Sequence, residues 1–236
     1  MGIRTRMIIN TTIMPMADLA PNTALLRLMT WLSPAFPVGA FSYSHGIERA
    51  VHDGLIHDKA SLQDWLVELM NHGSVWNDAV LFAASWRDAD TGGSCLEQSE
   101  LGEAMAGSKE RHMETMLQGN AFVQAIGHWS GRDSGAAQMP YPVAVAMVAA
   151  RNRVACEPAL AAYLHAVVSN LIQGAVRLVP LGQSHGVSLM AAMETQIVAV
   201  TERAASSSLD DLGSAAIMSD IMAMQHETQY SRVFRS

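Results

Sequence analysis

Cysteine is almost missing from this 236-residue chain. Cys95 and Cys156 stand far apart with no C-x-x-C, which argues against a thiolate zinc site or a redox pair and for a reduced, cytoplasmic setting. Lysine is nearly as scarce, with only Lys59 and Lys109; the other basic residues are arginines. Basic residues number 15 against 22 acidic ones, a formal charge of −7, so the cationic field that a phosphate backbone attracts is lacking and nucleic acid is not an expected partner. Charged residues are 16% and aromatics 6% while half the chain is hydrophobic, so the core has to be built from Ala, Leu, Val and Met. Sixteen methionines fit that need, because a flexible thioether fills irregular gaps.

No strand-like alternation persists anywhere, and the apolar residues recur at helical spacing. Asn22 is placed to cap a helix carrying Leu25, Leu26, Leu28, Met29 and Leu32, stopped at Ser33-Pro34. Ser61 to Asp64 reads as a capping box opening a helix with Leu62, Trp65, Leu66, Leu69 and Met70 on one face. Further helices are expected over roughly 77–87, 95–129, 143–155, 159–179 and 187–205, with Glu97, Glu100 and Glu103 forming a solvated acidic face. The expected class is all-α: a flexible segment 1–21, one compact helical domain 22–205, and a linker and flexible, partner-binding tail 206–236. From Pro158 to Val176 there is no fixed charge, but His165, Ser169 and Gln173 recur every four residues, so a buried core helix is expected and not a membrane span.

Chemical motifs are mostly incomplete. Gly182-Gln183-Ser184-His185-Gly186 matches a G-x-S-x-G nucleophile elbow, and Ser184, Asp211 or Asp220, and His226 follow in α/β-hydrolase order. A serine hydrolase is therefore the alternative reading, although an elbow needs a strand to deliver the serine and no oxyanion motif is present. His226-Glu227-Thr228-Gln229-Tyr230 has Tyr230 where H-E-x-x-H needs its second zinc ligand, and the nine histidines include no i, i+4 pair, so no metal site is assigned. No G-x-x-x-x-G-K-[ST] occurs, so no intrinsic nucleotide or other cofactor is expected. The last residues concentrate Tyr230, Arg232, Phe234 and Arg235, types that anchor protein interfaces.

Three separated segments, SPAFPVGAFSYSHGIERAV, VPLGQSHG and DLGSAAIMSDIMAMQHETQYSRVFRS, resemble the urease accessory protein family UreF, in the family's order. Ala40, Gln225 and Val233 depart from the usual Gly, Arg and Leu, and Ser184-His185 from the usual Thr-Asp. The resemblance implies an all-helical homodimer with no catalysis of its own. Such a dimer binds UreD (also called UreH), through it recruits the GTPase UreG, and acts on apo-urease during nickel insertion. Nickel and GTP are then handled by the wider complex. It also implies a partner-binding tail with His226, Glu227, Tyr230, Arg232, Phe234 and Arg235, and a functional surface with Tyr43, Ser44, Gly46 and Glu48. The same resemblance makes Gly182 and Gln183 part of a family turn and counts them among the partner-binding residues.

Overall fold

The most apolar stretch of the sequence, YPVAVAMVAA, has no charge on any face, so as a helix it must be surrounded. In the computed structural model, which describes residues 20–130 and 138–235, it becomes a central helix whose residues Tyr141 to Ala150 are all buried. Helices α1 (Pro21–Trp31), α2 (Ile47–His52), α3 (Lys59–His72), α4 (Ser74–Asp90), α5 (Leu96–Ala104), α6 (Lys109–Ala125), α7 (Gly127–Ser130), α8 (Tyr141–Arg151), α9 (Cys156–Leu178), α10 (Gln183–Ala205) and α11 (Ile217–His226) follow one another, with no strand among the described residues. The all-α expectation holds. α8 lies against α4, itself buried from Val75 to Ser85, and α3, α6, α9 and α10 enclose this pair. The α6 contact is closest at Gly119, where an added Cβ would lie within 2 Å of the Met139 carbonyl oxygen, so only hydrogen fits.

Local signals were shifted rather than absent. Ala20 precedes α1, with Pro21 in its first turn, so Asn22 is inside the helix and not its cap. Asp58 caps α3 by accepting from Ser61 N–H at 2.8 Å, which makes Ser61 the third residue of a reciprocal box and not its start. The expected helix 95–129 is three helices: Ser108 caps α6 through Arg111 N–H, and Ile126 ends it. Glu97, Glu100 and Glu103 are exposed as expected.

α9 is the one described helix long and apolar enough to cross a membrane by length and composition, and half of its most apolar window is buried inside the fold. It pairs with α10 along its length, and Leu160, Tyr163, Leu164, Leu171 and Ile172 supply the buried side. Both cysteines are free. Burial pushes the thiols of Cys95 and Cys156 up to about 11, so at pH 8 a disulfide-exchange reagent is expected to label the native chain slowly and both thiols at once after urea unfolding; fast native labelling, followed at 412 nm, would contradict this.

Segment 1–19, most of the N-terminal region set apart in the sequence, lies outside the described residues. The C-terminal region 206–236 was separated as linker and tail, and its described part is tied to the helical body along its length. Arg87 donates to the carbonyls of Ala205 and Ser207, Trp76 Nε1 donates to Asp211 O, Gly213 N–H donates to Asn77, and Ala215 and Ala216 N–H both donate to His72 O. Each tie joins positions more than a hundred residues apart, so no local pattern announces it.

Candidate functional site

Two sequence segments that resembled family motifs meet in space. The first, 39–48, turns sharply into α2: His45 and Gly46 both have positive φ, 51° and 77°, a left-handed pair that swings Glu48 inward. Gly46 is also the point of closest approach to α11, since a Cβ there would sit 2.8 Å from Ala223 N. The second segment is α11 with the residues after it, 227–235, which cross the body as a strap.

His226 ends α11 and is completely buried. Its Nδ1 lies 2.7 Å from Glu110 Oε2 and its Nε2 lies 3.1 Å from Glu48 Oε2. An imidazole with a carboxylate at each nitrogen meets both as a donor only when both nitrogens carry hydrogen. The other Glu110 oxygen accepts from Arg232, so the buried Glu48, Glu110 and His226 and the exposed Arg232 form one hydrogen-bonded network spanning α2, α6, α11 and the strap. Glu48 does more. Its Oε1 accepts the Val233 N–H at 2.7 Å and its Oε2 the Phe234 N–H at 2.9 Å, so one carboxylate grips two successive backbone amides.

Beyond that grip the strap is held at both ends. Glu227 accepts the Lys109 N–H at 2.8 Å, satisfying a free donor at the start of α6. Phe234 is buried over Gly174, with the Arg177 guanidinium 4.6 Å from its ring centroid, and Arg235 N–H donates to Ser42 O at 2.7 Å. Arg177 itself donates to Phe41 O, which fixes the loop the strap ends on. The Tyr43 phenol is pushed above its usual range by burial and then by the Glu114 charge, while a hydrogen bond with Arg235 pulls it back. Ser44 is buried and its Oγ accepts the Glu48 N–H.

Of the residues singled out in the sequence, Tyr43, Ser44, Gly46, Glu48, His226, Glu227, Arg232, Phe234 and Arg235 therefore belong to one assembly. Tyr230 stands outside the grip and is fully exposed, with Val233 69% exposed beside it in sequence and Phe41 65% exposed on the loop below the strap's end. Gly182 and Gln183 sit at the start of α10, where Gly182 N–H donates to His185, and neither is bonded to the assembly. The elbow-like pentapeptide is thus the first turn of a helix following another helix, and the nitrogens of His226 are engaged by glutamates and not by Ser184. Glu110, Ser42, Phe41 and Arg177 were not singled out in the sequence, and nothing in its spacing marks them.

Next to this assembly α6 carries a second buried network. Arg111 donates to Asp78 Oδ2 at 2.6 Å, where Tyr163 OH also donates, and lies near Glu114, which receives His45 and Gln118. Burial opposes the Arg111 charge, but Asp78 and Glu114 more than offset it and hold the guanidinium charged. A cavity of about 80 Å³ lies here, below the several hundred Å³ of an ordinary small-molecule pocket. Among the described residues no three His, Cys, Asp or Glu side chains converge on a point that could hold a metal.

The sequence model of the UreF family matches residues 56–194. A urease accessory protein UreF 1 of Brucella canis is 57% identical over 218 residues, covering 92% of this chain and 96% of that protein. The corresponding protein of Brucella anthropi is 55% identical over 217 residues, covering 91% and 95%, and a UreF of Mesorhizobium japonicum is 52% identical over 223 residues, covering 94% and 100%. With a family match over more than half its length and relatives this similar from end to end, the chain belongs to the UreF family of urease accessory proteins.

Proposed function

We propose that this chain is a non-enzymatic scaffold for assembly of the urease nickel centre. It docks UreD (UreH), recruits the GTPase UreG through it, biases that GTPase, and is carried as part of the complex onto apo-urease. Nickel is the cargo, and GTP binding belongs to UreG. The chain works as a homodimer in the cytoplasm. The observation that carries this reading is the two-sided strap: its backbone and the Phe234 ring are held against Glu48, Ser42 and Gly174, while Tyr230 and Val233 face outward and Arg232 and Arg235 are exposed at its edge. Aromatic and arginine side chains held on a fixed backbone are what an interface hot spot requires. As a scaffold the chain would contribute coupling free energy, stabilising the GTPase in one nucleotide state over the other.

The test is co-purification with UreD and UreG of the intact chain and of one ended after Ala223. The shortened chain is expected to keep its helical circular dichroism and lose UreD capture together with urease activation. Full UreD capture by the shortened chain would overturn the assignment.

A further inference from the structure

At the opposite end of α11 from His226, the segment 215–219 runs beside α3 and leaves a groove of about 640 Å³ between them. Its lining is of two kinds. Leu55, Ile217 and Met218, which are 41%, 68% and 51% exposed, line it together with Trp65 as one apolar surface left open to water. On the α3 side stand Asp64 and Glu68, one helical turn apart and both exposed. Like charges at that spacing repel, and among the described residues no cation comes within ion-pair distance of either. The groove is therefore apolar in most of its lining and anionic along one edge, and the fold supplies nothing to neutralise that edge.

We propose that it is a docking groove for a segment of UreD in which an apolar side chain is flanked by lysine or arginine. The proposal rests on the docking reading above and names the chemistry the partner has to bring. The paired carboxylates call for cations, and in a chain of formal charge −7 they add to a field that draws such a segment in. Leu55, Trp65, Ile217 and Met218 call for an apolar side chain, with the methionine thioether able to adapt to its shape. The Trp65 indole N–H is covered from water and has no acceptor in the fold, so turning it toward a partner's backbone carbonyl breaks no existing bond. Nucleic acid and anionic lipid fail the charge requirement, and a free small cation fails the apolar one. UreD is the occupant because the groove adjoins α11, the helix that leads into the tail assigned to UreD, whereas UreG is reached only through UreD on the same reading.

The experiment is photo-cross-linking in the complex of the full chain with UreD and UreG, with p-benzoylphenylalanine in place of Leu55 and the joined peptides read by mass spectrometry. The expected product is a UreD peptide that carries Lys or Arg within about one helical turn of an apolar side chain. Adding Asp64→Lys with Glu68→Lys is expected to lower its yield about fivefold or more. Glu97→Lys with Glu100→Lys makes the same change of charge on exposed positions of α5, and is expected to lower it less than about twofold. A product on UreG, on a second copy of this chain or on residues 1–19 of the same chain would overturn the proposal. So would a UreD peptide without basic residues, or equal losses from the two charge pairs. A complex that forms and gives no product would sink the groove alone; no complex with UreD at all would sink the docking reading with it.

Discussion

Arg111→Met is expected to destabilise the chain by about 3–5 kcal/mol, the cost of stranding buried carboxylates without their cation. Methionine fills the stem of the arginine but leaves Asp78 and Glu114, whose side chains are 9% and 3% exposed, facing each other across α4 and α6. Tyr163, His45 and Gln118 would still donate to them, yet none of these supplies the fixed positive charge of a guanidinium. Urea unfolding followed by circular dichroism measures the loss. The triple change Arg111→Met, Asp78→Asn and Glu114→Gln separates charge from shape, and is expected to recover about half of the deficit or more because no stranded carboxylate remains. A single-variant loss below about 1 kcal/mol would show that the network is not the electrostatic keystone of α6.

Gly46→Ala is the second large effect, and it strikes the assembly around His226 directly. A left-handed backbone costs a non-glycine residue about 1–3 kcal/mol, and the new methyl would meet Ala223 backbone atoms at 2.8 and 3.1 Å. Backbone cannot swing aside as a side chain can, so α11 has to move and drag His226 out of register with Glu48 and Glu110. The expected outcome is a loss of about 2–5 kcal/mol, combining strain with overpacking, and at least tenfold weaker UreD capture. Gly54→Ala is the matched control. Gly54 has φ 75°, nearly the same backbone strain, but nothing within 4 Å of the added carbon, so its cost is the strain alone and UreD capture should persist. Equal behaviour of the two variants would show that α11 does not need the close approach.

The helical class was legible because α4, α8 and α9 are long and apolar enough for periodicity to speak. Helix beginnings were less legible: Asn22 and Ser61 are good caps by residue type, but Pro21 and Asp58 stand just ahead of them and take the boundary. The break at Ser108 went unseen although Gly107-Ser108 is a stop-and-cap pair, because Ala104 to Ala106 before it and Lys109 to Arg111 after it are good helix formers. At the site, motif resemblance picked out Glu48 as part of a functional surface and His226 and Phe234 as part of a flexible, partner-binding tail, and gave no sign that all three side chains are buried. Their inward roles depend on Glu110, Ser42 and Arg177, which lie on other elements and share no spacing with them. Burial is a property of the folded chain, and the charge of a glutamate gives no sign that it will be covered.

The bonds that tie His226, Arg232, Val233 and Phe234 to Glu48 and Glu110 join residues 116 to 186 positions apart, whereas α4 meets the neighbouring α3 and α9 pairs directly with α10. Closing so long a loop yields nothing until both ends are already in place, so during refolding the body should condense first and the strap should seat last. On warming the order reverses, since a segment with few buried residues opens at a smaller free-energy cost than the core beneath it. On the docking role proposed above, capture of UreD would be tied to the last step of folding, and a heated but still helical population would lose it before it lost its secondary structure.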